Sequence, residues 1–431
     1  MLCENIARNS TGELTFAGAS LPSLKEKYGT PLYLYDEDRI RLCAGEYINA
    51  VKETLGDKGQ VLYASKAASF KRLYEIIHEE GLGIDVVSSG EIYTAALAGF
   101  PLSRAYFHSN NKTDEDIEYA IKMGVGYFVV DNIEELTAIS DIAQRHGIKQ
   151  KVLLRITPGI DPHTYAAVAT GKVDSKFGSA IETGQAEEIT KDALSLGGID
   201  LYGFHCHIGS QIFDEQIYLQ AADIMMGFIK DIYEKTGYLA NELDLGGGLG
   251  VRYIDSQPEI NIGEIIRKVC LYLITLSDKL GITLPKISFE PGRSIVADAG
   301  LTLYTVGTVK RIPGYKNYVS VDGGMADNPR FALYGSPYTI LTVKESDSEL
   351  MSASVVGRCC ESGDILQENV EMPSDIKRGD LIACLTTGAY HYSMSSNYNK
   401  LTRPPIVMLK GGEDYVAVRR ETLEDLTSLD V

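Results

Sequence analysis

Short apolar runs recur along the first two thirds of the chain. They are VLYASK (61–66), GIDVVS (83–88), AYFHSN (105–110), YFVVDN (127–132), VLLRIT (152–157), LYGFHCHIG (201–209), ELDLGGG (242–248) and ISFEPGR (287–293). Segments with helical spacing lie between them. In IEELTAISDIAQRHG, Leu136, Ile139 and Ala143 share one helical face, with Ile133 and Ile142 at its edges. KRLYEIIHEEG and the longer stretch from Asp214 to Tyr233 read the same way. Eight strand-like runs alternating with helices predict a (β/α)8 barrel of the TIM type.

After about residue 295 the texture becomes β-rich, with glycine and proline punctuation: LTLYTVGTVKRI, NYVSVDGG, SASVVGRCCE, LIACLTTGAY and DYVAVRRE. GELTFAG and PLYLYDED, near the start of the chain, have the same character. The fold class is therefore α/β plus β. A barrel is expected over 36–294, with a second β-rich domain, sandwich- or barrel-like, built from 1–35 and 295–431. ETLEDLTSLDV at the end reads as a short surface helix.

In a barrel of this kind the chemistry gathers at the C-terminal ends of the strands. The run ends here carry Lys66, Asp85, His108 with Asn110, Asp131, Arg155, His205 with His207, Gly246–Gly248 and Glu290. Such a regular array of polar groups points to an active site.

Composition narrows what that site can serve. The 431 residues are 44% hydrophobic and 23% charged, which suits an ordinary soluble globular protein with a large barrel plus a second domain, or two to three domains. A net charge of −18 argues against nucleic acid or an anionic membrane as partner. No apolar stretch approaches the roughly 18 residues of a membrane span, and MLCENIARNSTGELTF lacks the pattern of a signal peptide. The seven cysteines are scattered and include no C-x-x-C, so no disulfide framework or structural zinc is expected and the cytoplasm is the default compartment.

Lys66 sits among Ala64, Ser65, Ala67 and Ala68. Alone it reads equally well as a lysine snorkelling from a strand end. Partly desolvated at a barrel mouth, it would serve as a Schiff-base lysine. That role needs an anion cradle, a partner for a pyridine nitrogen and a ring-stacking group. DLGGGLG (244–250) is a cradle candidate, with at least one glycine there serving only a tight turn. Glu290 and Arg293 of FEPGR could meet a ring nitrogen and an anion, or each other in a surface salt bridge. His205 and His207, on one strand face, would suit metal binding in an amidohydrolase-like barrel. There, however, an H-x-H pair belongs early in the barrel, and this one comes sixth. No metal is expected, and a flat imidazole stacked on a cofactor ring is the better reading.

YASKA, HCHIGSQ, DLGGGLG, EPGR, CESGD and TGAYHYSM, in this order, resemble the barrel-fold, pyridoxal-phosphate-dependent decarboxylases, the group that also holds alanine racemase and eukaryotic ornithine decarboxylase. The resemblance runs from roughly residue 25 to 420 and agrees with the branch that converts meso-diaminopimelate to L-lysine and CO2, the last step of lysine synthesis. It implies pyridoxal 5'-phosphate as cofactor, linked to Lys66 and stacked on His207. Ser210, Gly247, Gly248, Pro291, Gly292 and Arg293 then fall around the phosphate and neighbouring groups, and Glu290 at the ring nitrogen. Arg293, Arg330, Tyr334, Glu361 and Tyr390 match substrate contacts, Tyr390 touching the cofactor as well. Cys360 matches the proton donor. The resemblance also implies a homodimer in which the Cys360–Glu361 segment completes the partner's site.

The chemistry of these roles stands on its own. Decarboxylation leaves a carbanion, a protonated pyridine ring is an electron sink, and a carboxylate beside the nitrogen keeps that proton in place. An acid must then return a proton to carbon, and a free thiol is mostly protonated at neutral pH. Three places depart from the family pattern: AAVA in the loop 163–178, the doubled cysteine of RCCESGD, and His391 after Tyr390. On a strand, adjacent cysteines would face opposite ways, leaving one for the site. The altered loop keeps ornithine, lysine or arginine open as alternative substrates. A non-catalytic homologue would tend to lack Lys66 or Cys360. A racemase would place arginine where Glu290 stands.

Overall fold

The computed structural model describes residues 2–160 and 175–431. Most of the altered loop, 163–174, lies outside the described residues. The chain divides into two compact units. One comprises Cys43–Gly250 and Ile260–Ser294, the other Met1–Leu42, Val251–Glu259 and Ile295–Val431.

The first unit is a closed parallel barrel. Its strands are β1 (Gly59–Ala64), β2 (Gly83–Val86), β3 (Ala105–Phe107), β4 (Tyr127–Val130), β5 (Gln150–Thr157), β6 (Ile199–His205), β7 (Glu242–Asp244) and β8 (Lys286–Phe289). Each pairs with the next. β8 pairs with β1 through Ile287–Phe289 opposite Gly59–Val61, which closes the ring. Every pairing is parallel, so all the C-terminal ends emerge at one rim. Each of the eight apolar runs overlaps one of these strands. The barrel interior is a packed core. Leu62, Tyr106, Val129 and Leu153 form one buried cluster, and the buried Glu242 accepts hydrogen bonds from Tyr106 Oη (2.9 Å) and Gln60 Nε2 (3.1 Å).

The helices follow the hydrophobic pattern. Ile133–Arg145 buries Leu136, Ile139, Ile142 and Ala143, while Ile133 stays 39% exposed, so the apolar stripe is shifted toward Ile142. Asn132 caps its start by accepting from Glu135 N at 2.9 Å. Glu215–Thr236 begins under an Asp214 cap and ends at the left-handed Gly237. No helix among the described residues is long and apolar enough to cross a membrane.

The second unit is built on a nine-stranded sheet. Leu32–Asp36, from the start of the chain, pairs antiparallel with Gly300–Ile312 and parallel with Ile406–Lys410. Leu32, Leu34, Leu301, Leu303, Leu385, Val407 and Leu409 form its core, together with Leu14 and Phe16 from a small three-stranded sheet. The chain's end corrects one expectation. Instead of a terminal helix there is a single 3₁₀ turn, Asp425–Thr427. Leu423 and Leu429 are 72% and 93% exposed, so no apolar face is buried to hold a longer helix.

Candidate active site

Lys66 leaves β1 in a 3₁₀ turn, Ser65–Ala67. Ala64, Ser65, Ala67 and Ala68 are all buried, and Lys66 itself is exposed. Small neighbours let the turn pack tightly under the rim while the lysine rises from it. Its positive charge acts on Asp85, Glu91, His205 and His207, which places all four around the same mouth. His207 is pushed well below the usual histidine range, first by burial and then by Lys66 and Arg155, so it is neutral at physiological pH.

Glu290 follows β8 and is buried. Its Oε1 lies 2.7 Å from His108 Nε2 and its Oε2 lies 3.1 Å from His205 Nε2. Burial alone would raise its pKa. The two histidines outweigh burial and hold the carboxyl well below its usual range. Asp244, at the end of β7, shows the opposite balance: burial, Glu290 and Glu242 push it well above the carboxylate range, so it keeps its proton. Two neighbouring carboxyl groups are thus driven apart, leaving Glu290 as the anion. Asp85 is raised to about 6, chiefly by burial. The ligand atoms of His108, His205 and Glu290 lie within 4.8 Å of one another, a spacing that could also hold a cation.

The glycines after β7 bring backbones close together. A Cβ on Gly247 would stand 2.0 Å from the Glu290 carbonyl oxygen, and one on Gly248 would stand 2.3 Å from that of Gly209. Gly246 and Gly248 also have positive φ, +68° and +122°. Arg293 and Glu290 are buried rather than forming a surface pair. Arg293 donates to Ser210 Oγ from Nε (3.2 Å) and Nη2 (3.0 Å). Pro291 O accepts from Ala64 N at 3.0 Å, and Gly292 abuts Ala64, so EPGR lies directly beside the turn that carries Lys66. The barrel unit therefore gathers Lys66, His207, Ser210, Gly247, Gly248, Glu290, Pro291, Gly292 and Arg293 at one rim. A lysine amine, a fixed carboxylate, a neutral imidazole and a glycine–serine–arginine anion site fit a phosphorylated pyridine aldehyde.

The other expected residues belong to the β-rich unit. Arg330 opens a short helix, Arg330–Tyr334, and is buried. Its guanidinium carbon lies 4.7 Å from the Tyr334 ring centre and 5.1 Å from that of Tyr390, while its Nε has no hydrogen-bond partner. Tyr390 adopts φ +64°, a left-handed conformation uncommon for a bulky residue. Cys359 and Cys360 do not sit on a strand, because Leu350–Val356 ends before them. The buried Asp364 accepts from Met325 N (2.6 Å) and Cys359 N (2.7 Å), folding the segment into a bend. Cys359 is half-buried, and burial and Asp364 push its thiol up to about 11. Cys360 and Glu361 are exposed.

Two rim residues carry no role in the sequence reading. Glu91 is raised to about 7 by burial and accepts from Val87 N at 2.8 Å. The signal for it is Ser88-x-x-Glu91, a capping pattern whose glutamate turns back toward the strand end. Asp244 is the first residue of DLGGGLG. It accepts from Gly246 N at 2.7 Å and so shapes the glycine turn.

The family "Pyridoxal-dependent decarboxylase, pyridoxal binding domain" matches residues 45–297. The chain is 43% identical to diaminopimelate decarboxylase of Bacillus subtilis (strain 168), over 98% of this chain and 96% of that one. It is 42% identical to the Staphylococcus aureus (strain COL) enzyme, over 97% of each. The fold superposes on diaminopimelate decarboxylase from M. jannaschii in complex with L-lysine with a TM-score of 0.92 and 32% identity, covering 99% of this chain and 98% of that one.

Proposed function

The chain belongs to the pyridoxal-dependent diaminopimelate decarboxylase family, and from that premise we propose that it releases CO2 from meso-diaminopimelate to give L-lysine in the cytoplasm, using pyridoxal 5'-phosphate. It is a carboxy-lyase of the pyridoxal-dependent class. When bound, the cofactor supplies the electron sink that stabilises the carbanion left by CO2.

The residues divide the remaining work. Lys66 would hold the cofactor covalently through Nζ. The backbone of Gly247 and Gly248, with Ser210 and Arg293, holds the phosphate and its surroundings. Pro291 and Gly292 set Arg293 and Glu290 beside the Lys66 turn. His207, kept neutral by burial, would pack beside the ring without competing for its proton. Glu290 would keep the ring nitrogen protonated. Cys360 Sγ gives its proton to the substrate carbon once CO2 has left. Glu361, Arg330, Tyr334, Tyr390 and Arg293 bind the substrate.

One observation carries the substrate reading. Arg330 is a buried cation held between two tyrosine rings with its Nε unpartnered. A distal carboxylate would meet that demand, and meso-diaminopimelate has one whereas lysine and ornithine do not. The exposed Cys360 and Glu361 support a homodimer in which each subunit presents this segment to its partner's site. The test is CO2 release from meso-diaminopimelate, lysine, ornithine and arginine, with and without added cofactor. Cofactor-dependent release from meso-diaminopimelate alone is expected. Comparable release from ornithine or lysine would reject the role given to Arg330.

A further inference from the structure

Cys360 lies in a bend between the strands Leu350–Val356 and Ile365–Pro373, and no strand or helix holds it. A proton donor must still meet one carbon from one side. Side chains fix two successive backbone amides of this segment. Cys359 N donates to Asp364 Oδ2 at 2.7 Å, and Cys360 N donates to Asn399 Oδ1 at 2.7 Å. Asp364 belongs to the bend itself. Asn399 comes from outside it, in the 3₁₀ turn Tyr398–Lys400. Its φ of 53° and ψ of 24° are left-handed values, which asparagine tolerates better than most residues. The turn is anchored at its base. Asn397 Nδ2 donates to Glu421 Oε2 (2.6 Å) and Leu401 O (3.0 Å), and Arg403 Nη1 donates to Glu421 Oε1 at 3.0 Å. The same turn reaches the neighbour of the donor: Gly363 N and Ser362 hold the Glu361 carboxyl below its usual range, with a further hydrogen bond from Tyr398. All of these groups lie within the β-rich unit.

We propose that Asn399 is a positioning residue for Cys360: its side-chain oxygen holds the Cys360 amide and so fixes the direction from which the thiol delivers its proton. This rests on the reading of Cys360 as proton donor. A residue that served only the turn would need nothing beyond tolerance of positive φ, and glycine supplies that best. Asparagine adds the acceptor oxygen. Aspartate would keep both the oxygen and the tolerance of left-handed backbone. A reacting group displaced by about 1 Å loses on the order of a hundredfold in rate. Once the Cys360 amide is released, the thiol can turn in its bend, and solvent competes to deliver the proton to either side of the carbon.

The test uses the full-length, cofactor-loaded protein turning over meso-diaminopimelate in D2O. The carbon that loses CO2 keeps its hydrogen and gains one deuterium, and NMR of the lysine formed reports which of the two positions on that carbon is labelled. The wild type should label one position. Asn399→Ala and Asn399→Gly should divide the label between both positions and lower kcat by about ten- to a hundredfold, with KM little changed. Asn399→Asp should restore the single position and most of kcat. The glycine variant keeps the left-handed turn, so it separates the acceptor from the backbone conformation. Single-position labelling and wild-type kcat in Asn399→Gly would overturn the proposal, as would an Asn399→Asp variant no better than glycine. Cys360→Ala separates the two levels. If it still labels one position, the donor reading fails and takes the role of Asn399 with it; if it divides the label while Asn399→Gly does not, only the role of Asn399 fails.

Discussion

Replacing Glu290 by glutamine keeps the shape of the side chain and removes its charge. The site is buried, with His108 Nε2 and His205 Nε2 at 2.7 and 3.1 Å from the two oxygens. Its amide oxygen can still accept from His205 Nε2, which lies 3.1 Å from Glu290 Oε2. The loss is electrostatic, because no fixed anion then opposes a protonated ring nitrogen. A preorganised group of this kind is worth about 3 kcal/mol, or roughly a hundredfold in rate. Glu290→Gln should therefore retain bound cofactor, seen by its visible absorbance, while kcat for CO2 release falls about a hundred- to a thousandfold. Turnover within threefold of wild type, with cofactor bound, would sink the role given to Glu290.

Gly247→Ala should abolish stable cofactor retention on gel filtration, because the new methyl would sit 2.0 Å from the Glu290 carbonyl oxygen and must push apart the two rim segments; retention equal to wild type would show that the turn yields without consequence. Lys66→Ala and Cys360→Ala, each nearly inactive alone, should recover roughly a quarter of wild-type activity after equal mixing with subunit exchange, since half the dimers are mixed and each holds one intact site of two. Activity that stays at the single-mutant level despite exchange would place Cys360 in its own subunit's site or remove it as donor, and Cys359→Ala should be active by itself. Asp327 is buried beneath Tyr304 Oη (2.5 Å) and Gly324 N (2.9 Å), and burial raises it to about 7. Because the folded state holds this proton more tightly than the unfolded chain, stability is greatest below about pH 4 for this group and is lost as pH rises toward 7. Between pH 5 and 8 the wild type should lose about 3 kcal/mol more than Asp327→Asn in urea unfolding, one pH unit being about 1.4 kcal/mol; equal losses would show that Asp327 is ionised at pH 5.

The barrel was legible because each strand is a continuous apolar run ending in a polar residue, as strands buried on both faces must be. Lys66 was legible for a related reason: a long charged side chain among alanines fits neither a core nor an ordinary surface. The cluster of His108, His205 and Glu290 was not legible. His108, His205 and Glu290 stand far apart in sequence, and only closure of the ring brings β3, β6 and β8 to one point. The H-x-H spacing favours a stacking imidazole over a metal pair without showing where each ring turns: His205 turns to the Glu290 carboxylate and His207 to the glycine turn, with Nδ1 2.9 Å from where a Gly246 Cβ would stand. The two cysteines were misjudged as strand neighbours because β propensity in SASVVGRCCE runs past the point where Asp364 bends the chain. The terminal segment looked helical by spacing, but spacing does not report whether a surface exists to bury the stripe.

The central claim is that Lys66 carries the cofactor. Borohydride reduction of the pyridoxal-phosphate-loaded protein, followed by digestion and mass spectrometry, tests it directly. The reduced phosphopyridoxyl group should appear on the peptide containing Tyr63–Ala68, at Lys66, with loss of the visible absorbance, and Lys66→Ala should yield no such adduct. A label at another lysine, or none in protein that decarboxylates meso-diaminopimelate, would contradict the account.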